Sequence, residues 1–212
     1  MFADRADAAQ QLARALSPYR GQRPLVLAIP RGAVPMAAVL ARELEGDLDL
    51  VLVRKLHAPG APEFAIGAVD ESGWTYLTPH ASAVGAHPGY VAEQKALEME
   101  ELQRRRDLYT PGRPRIDAAG RIVIVVDDGL ATGATMIAAL HSVRQRGPRR
   151  LVCAVPVGSP ESVRAVQEHA DEVVCLETPR RFAAVSQFYR SFSQLEDEEV
   201  VTLLRDQLPG GA

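Results

Sequence analysis

The sequence predicts an α/β fold: a central parallel β-sheet covered by helices on both faces. Three observations carry this. Short runs rich in Val, Ile and Leu recur along the chain, and most are followed by a helix-like stretch. Several of these runs are apolar without alternation, as strands buried on both faces of a parallel sheet must be. The 212 residues suffice for one domain, and a chain of that length hides roughly 70% of its unfolded surface in a core.

The elements follow in order. MFADRADAAQQLARAL opens the chain with a charged amphipathic pattern, which reads as a helix over residues 4–16 and not as a signal peptide. LVLAI (25–29) is the first strand, and residues 34–44 form its crossover helix. LDLVLV (48–53) reads as the second strand. FAIGAV (64–69) and WTYL (74–77) read as a hairpin with residues 71–73 in its turn. Residues 78–115 interrupt the alternation. Within them, residues 93–107 carry nine charges in fifteen positions, and Glu100 with Arg104 and Glu101 with Arg105 stand at helical i,i+4 spacing. Arg104, Arg105 and Arg106 therefore read as a solvated helix face rather than an anion site. RIVIVV (121–126) resumes the sheet, followed by a helix over residues 134–146, then LVCAVPV (151–157), a helix from Pro160, and EVVCL (172–176). The chain then turns aromatic: Phe182, Phe188 and Phe192 are three of its five phenylalanines, and a last helix is expected over residues 197–207.

Composition excludes several classes. A net charge of −3 gives no reason to expect nucleic acid or an anionic membrane as a partner. No apolar run approaches the roughly 18 residues of a membrane span. Cys153 and Cys175 lie in apolar runs and read as reduced core residues of a cytoplasmic protein.

The informative stretch is VVDDGLATGAT (125–135). Asp127 and Asp128 end the most hydrophobic strand, at the sheet edge where ligands of parallel sheets bind. Carboxylates there must meet water, a cation or hydroxyl groups, because an unpaired buried charge costs several kcal/mol. Strand alternation would send the two side chains to opposite faces, so contact with one common atom does not follow. Gly129, Leu130, Ala131, Thr132, Gly133, Ala134 and Thr135 then lead into a helix. Glycine allows close backbone approach, helix-start N–H groups bind anions, and the threonines add hydroxyl donors. This is a phosphate cradle without the Walker lysine and without a dinucleotide fingerprint. Carboxylates for a diol beside a phosphate cradle suit a ribose 5-phosphate.

Four apolar residues, two acids and Gly-Leu-Ala-Thr-Gly-Ala-Thr closely resemble the phosphoribosyl pyrophosphate motif of type I phosphoribosyltransferases. The resemblance implies that Asp127 and Asp128 contact the ribose hydroxyls and that residues 131–135 hold the 5-phosphate. IPRGAVP (29–35) matches the family's pyrophosphate loop, often built on an unusual cis peptide, with Arg31 and Gly32 as the matching residues. Arg54 and Lys55, read at the end of the second strand, look like the basic pair of adenine and orotate enzymes. RRFAAVSQFYRSF faintly resembles the hood of hypoxanthine-guanine enzymes, which puts Phe182 in the purine-stacking position and Tyr189 near the place of a metal-binding aspartate. His57 reads as a loop bystander. A lid is expected, from residues 58–63 or from the 78–115 insertion. The whole chain also resembles bacterial phosphoribosyltransferases without an agreed substrate, carrying PRG, VRK, PEFAIGA and VDDG-ATGA motifs.

The implied protein is a single phosphoribosyltransferase domain over residues 1–212. Its core spans about 24–77 and 120–176, its helical insertion about 78–115, and its hood about 1–20 and 177–208. The implied activity is a pentosyl transfer from phosphoribosyl pyrophosphate to a nitrogenous base. Mg²⁺ is expected as the cofactor, held through pyrophosphate and ribose oxygens with no direct protein ligand assigned, and the protein is expected to be a homodimer. A regulatory protein that only senses phosphoribosyl pyrophosphate is the alternative, and no helix-turn-helix or basic domain supports it. A double-aspartate hydrolase would need a nucleophilic Asp on an early strand, where this chain has Ile-Pro-Arg.

Overall fold

The computed structural model describes residues 1–206, so Gln207 and Leu208, the last positions expected in the hood, lie outside the described residues. Among the described residues the elements are α1 (Arg5–Ala15), β1 (Leu25–Ala28), α2 (Val34–Glu43), β2 (Asp47–Leu50), β3 (Val53–Ala58), β4 (Ala61–Asp70), β5 (Thr75–Leu77), α3 (Pro88–Tyr109), β6 (Ile122–Val126), α4 (Ala134–Arg144), β7 (Arg150–Val157), α5 (Pro160–Gln167), β8 (Glu172–Glu177) and α6 (Asp197–Asp206).

Five strands form a parallel sheet in the order β2-β1-β6-β7-β8. Alternate residues of these strands enter two different cores. Val26, Ala28, Ile124, Val126 and Ala154 pack on one face with α1 and α2, while Leu27, Val123, Val125, Cys153 and Val155 pack on the other with α4. Covered on both faces, the central strands have no solvent side, which is why they read as unbroken apolar runs.

The run LDLVLV is not one strand. β2 ends at Leu50, Val51 still donates to the carbonyl of Ala28 at 3.1 Å, and Val53 begins β3 in a second sheet. Residues 48–53 are buried throughout, so hydrophobicity could not mark the break. The second sheet is antiparallel, in the order β3-β4-β5, with a bulge around His57.

The expected hairpin of residues 64–77 is β4–β5. Buried Asp70 builds its turn: Oδ1 accepts from the Ser72 N–H, the Ser72 hydroxyl and the Trp74 N–H at 2.8, 2.5 and 3.0 Å. Trp74 stacks on His141 of α4 with ring centroids 3.7 Å apart, and Asp70 Oδ2 faces His141 Nδ1 at 3.5 Å. This clamp fixes the second sheet to α4, the helix that follows the 127–133 loop.

The insertion is dominated by the 22-residue α3. His87 caps it, accepting the Tyr90 N–H on Nδ1 at 3.1 Å, and Pro88 occupies its first turn. Arg106 docks α3 on Glu71 by two hydrogen bonds of 2.9 and 2.8 Å. The charge pairing differs in part from the sequence reading. Glu101 holds Arg105 at 2.7 Å as expected, but it also holds Arg104 at 2.7 Å, the partner assigned to Glu100. The two termini close into a hood, with the Phe2 N–H on the Phe188 carbonyl at 2.8 Å and the Arg190 N–H on the Phe2 carbonyl at 2.9 Å.

Candidate active site

β1 and β6 are neighbours, but the chain leaves them in opposite directions, to β2 and to β7. Such a switch in strand order opens a crevice at the carboxyl ends of the two strands. A cleft of about 440 Å³ lies there, between residues 29–32 and residues 127–135. Asp127 and Asp128 both border it. The alternation that would have separated them stops at Val126, where β6 ends.

The two acids have unequal surroundings. Asp127 Oδ1 accepts the Asp128 N–H at 2.8 Å. Burial, and then the charge of Asp128, hold the Asp127 carboxyl far above the usual carboxylate range. Asp128 Oδ2 is gripped by Arg5, whose Nε and Nη2 donate at 3.1 and 2.8 Å. Arg5 Nη1 donates to the Ser193 carbonyl at 2.7 Å, and its guanidinium lies 3.9 Å from the Phe192 ring centroid. The Tyr189 hydroxyl donates to the Asp128 carbonyl at 2.7 Å. Sequence reasoning missed Arg5, although a signal was there. Arg5 precedes Ala8, Ala9 and Leu12 at i+3, i+4 and i+7, the buried stripe of α1. A cation on a buried stripe needs an acidic partner.

Gly32 shows why the loop after β1 carries a glycine. A Cβ built there would stand 2.2 Å from Asp128 Oδ2 and 3.2 Å from Arg5 Nη2. The preceding Pro30–Arg31 peptide is cis, as the resemblance implied.

The loop of residues 129–133 is held from below. Leu130 makes a parallel bridge with Gly158, and its N–H donates to the Val157 carbonyl at 2.8 Å. The Ser162 hydroxyl of α5 donates to the Ala131 carbonyl. Gly133, at φ +78°, caps α4 and lets the chain turn into the helix. Gly129, Ala131, Thr132, Gly133 and Thr135 face the cleft with Leu130 beneath them. The Ala134 side chain is buried in the core, so this residue presents only backbone. The helix start leaves N–H groups without intrahelical acceptors; the Ala134 N–H donates to Thr132 Oγ1 at 3.4 Å, and such a helix start can bind an anion.

A second cavity, of about 290 Å³, adjoins the cleft and shares Ile29, Pro30, Lys55 and Thr135 with it. Its cations are Arg31, Arg54, Lys55 and Arg105, with His57 beside them. Arg31 approaches Glu196 and Asp197 at 3.6 and 3.5 Å, and Arg54 pairs with Glu98 at 2.6 Å. Arg54 and Lys55 do not end the second parallel strand. They lie on β3, opposite Val69 and Ala68 of β4, and reach the site because this second sheet folds over it.

The phosphoribosyl transferase domain model matches residues 1–192. The chain belongs to the phosphoribosyl transferase family. The crystal structure of TT1426 from Thermus thermophilus superposes with a TM-score of 0.81 at 47% identity, covering 98% of this chain and 99% of that one. Rv0571c of Mycobacterium tuberculosis, provisionally named a phosphoribosyl transferase, is 44% identical over 219 residues, covering 100% of this chain and 49% of its own length. The chain thus spans about half the length of this curated relative. A uracil phosphoribosyltransferase of Clostridium beijerinckii is 37% identical over 139 residues, 66% of this chain and 57% of that protein.

Within this phosphoribosyltransferase fold, two expectations about the walls need correction. Phe182 does not line the cleft: its ring stacks on Phe188 with centroids 5.3 Å apart, packed against the core. The hood residues on the cleft are Val185 and Phe192, joined from β4 by Phe64. Residues 58–63 are not an open loop either, since β3 runs to Ala58 and β4 starts at Ala61. The donor set bears on Mg²⁺. No group of three or more His, Cys, Asp or Glu side chains among the described residues could hold a metal. One or two carboxylates beside an anion site suit Mg²⁺, which takes most of its ligands from water and phosphate oxygens. No helix among the described residues is long and apolar enough to cross a membrane.

Proposed function

We propose that this domain transfers a 5-phosphoribosyl group from phosphoribosyl pyrophosphate to a nitrogenous base, with release of pyrophosphate. The observation that carries the reading is the meeting, at one sheet edge, of an acid pair, a helix-start phosphate cradle and an adjoining cationic cavity. Asp127 and Asp128 would orient the ribose hydroxyls, and residues 131–135 would hold the 5-phosphate. Arg31, Lys55 and the backbone at Gly32 would face the pyrophosphate. The bond from C1 to the pyrophosphate oxygen breaks, its electron pair leaves with pyrophosphate, and a ring nitrogen of the base bonds to C1 as it loses its proton. The cationic wall stabilises the charge that grows on the departing group. Mg²⁺, when bound beside Asp127 and Asp128, would neutralise part of the charge of the pyrophosphate. Water would compete as a nucleophile, and the apolar side chains of Phe64, Val185 and Phe192 on the cleft would limit its access.

Ala131 bears on the acceptor. In hypoxanthine-guanine enzymes, which the hood faintly resembles, an aspartate occupies the matching position, beside the purine N7. Alanine cannot pair that polar atom, a loss of roughly 1–3 kcal/mol. The likeness to uracil phosphoribosyltransferases also supports a pyrimidine over these purines. The test incubates the protein with Mg²⁺, phosphoribosyl pyrophosphate and, in turn, uracil, orotate, adenine, xanthine, hypoxanthine and guanine, and follows pyrophosphate release. Release with at least one base, and poor turnover of hypoxanthine and guanine, is the expected outcome. Guanine turnover equal to the best of the panel would remove Ala131 as a marker of specificity. Tight binding without release for any base would leave a binding protein.

A further inference from the structure

Arg104, Arg105 and Arg106 are consecutive on α3, so their side chains leave the helix about 100° apart. The structure sends them to three destinations. Arg104 is the most exposed, with 54% of its side chain open to solvent. Arg106 is seated on Glu71. Arg105 has only 17% of its side chain exposed and borders the second cavity, with Arg31, Arg54 and Lys55.

The charges around this cavity have an order. The residues lining it include four cations and no carboxylate. The acids stand behind them: Glu98 holds Arg54 at 2.6 Å, Glu101 holds Arg105 at 2.7 Å, and Asp197 approaches Arg31 at 3.5 Å. Tyr109 of α3 fixes Asp197 in turn, its hydroxyl donating to Oδ1 at 2.5 Å. A solvated ion-pair surface mixes both signs on its outer face. Here guanidinium groups are held in place by carboxylates that do not themselves face the cavity, which favours an anion of high charge density.

We propose that the inserted helix α3 is a wall of the active site and that Arg105 is a catalytic residue donating hydrogen bonds to the departing pyrophosphate. This rests on the transfer reaction proposed above. The guanidinium stays protonated throughout; it receives no proton and only offsets the electron pair that moves onto the pyrophosphate oxygen.

Calorimetric titrations of the full chain with Mg²⁺-pyrophosphate, with ribose 5-phosphate and with phosphoribosyl pyrophosphate test this on the wild type, Arg105→Ala, Arg105→Lys and Arg104→Ala. Arg105→Ala is expected to weaken pyrophosphate binding about tenfold or more. Ribose 5-phosphate affinity should stay within about twofold. Arg105→Lys should recover part of the loss. Arg104→Ala removes a cation from the same helix, from the same Glu101 and from a contact of 3.6 Å with Asp197. It should change the affinity for either ligand by no more than about twofold, because Arg104 is exposed and does not line the cavity. Unaltered pyrophosphate affinity in Arg105→Ala overturns the proposal. Equal losses for both ligands, or equal losses in Arg104→Ala and Arg105→Ala, also overturn it, because they reduce the effect to helix integrity or general charge. Should Arg105→Ala fail to fold, Arg105→Gln carries the same comparison. A wild type that binds neither phosphoribosyl pyrophosphate nor pyrophosphate sinks the transfer reading itself, and this proposal with it.

Discussion

Asp127 and Asp128 are chain neighbours with opposite electrostatic situations, and they should respond oppositely to the same substitution. Arg5 supports the Asp128 charge; burial and Asp128 oppose the Asp127 charge. Asp127→Asn should weaken phosphoribosyl pyrophosphate binding about tenfold or more while raising the melting temperature. Asp128→Asn should weaken binding similarly but lower stability by about 1–3 kcal/mol, because it leaves a half-buried guanidinium without its counter-charge. Calorimetry and thermal melts on the two variants check both signs. The sign with pH follows from linkage. A carboxyl raised in the folded state keeps its proton there after the unfolded chain has lost it. Its contribution to stability therefore falls as pH rises from the unfolded value of about 4 through the higher folded value. Asp127→Asn should flatten that part of the stability–pH curve, and an unchanged slope would contradict the assignment. Gly32→Ala tests the same corner by steric means. A methyl group 2.2 Å from an oxygen pinned by Arg5 must displace Asp128. The expected cost is about 1–3 kcal/mol of stability, with loss of ligand affinity, read by melts and calorimetry.

At the scale of elements, the insertion is anchored by a residue hidden in a strand. Asp49 of β2 is 1% exposed; it accepts the Leu50 N–H at 2.9 Å and the Ile116 N–H at 2.8 Å, and pairs with Arg113 at 3.2 Å. These contacts return the chain from α3 to the edge of β6. Asp49→Ala leaves two N–H groups and a cation without their acceptor. It should cost about 2–4 kcal/mol, which for a chain of this size lowers the melting temperature by about 5–15 °C. Thermal denaturation measures it, and a fall under about 2 °C would show that solvent replaces these contacts. The same element explains why LDLVLV misled: an apolar run containing a buried aspartate continues from one sheet to another without a change in polarity.

At the scale of the whole molecule, the site is closed by the two ends of the chain. Phe2 is buried and packs on Tyr189 with ring centroids 5.5 Å apart, and Tyr189 holds the Asp128 carbonyl. Removing the Phe2 side chain should therefore act on the Asp128 end of the cleft, although Phe2 does not line it. Phe2→Ala should cost about 3–5 kcal/mol of stability and weaken phosphoribosyl pyrophosphate binding even under conditions where the protein remains folded. Unfolding and titration experiments on one preparation separate the two effects. Full ligand affinity in the folded variant would show that the hood and the acid pair are independent.

The resemblance to type I phosphoribosyltransferases pointed to the loop of Arg31 and Gly32, and the sequence by itself determined the parallel sheet, the acid pair and the Gly- and Thr-rich turn into α4. Each is written locally: in unbroken apolar runs, in a strand-end Asp-Asp, in Gly and Thr at a helix start. The tertiary structure alone decided what meets these residues. Arg5 reaches Asp128 across 123 positions of chain, Lys55 arrives on a second sheet, and Phe192 rather than Phe182 borders the cleft. Arg105 turns inward from a helix that reads as solvated. The physical reason is that periodicity records which face of an element is apolar, whereas a charged or aromatic side chain acquires its role from a partner distant in sequence, and composition within one segment carries no record of that partner.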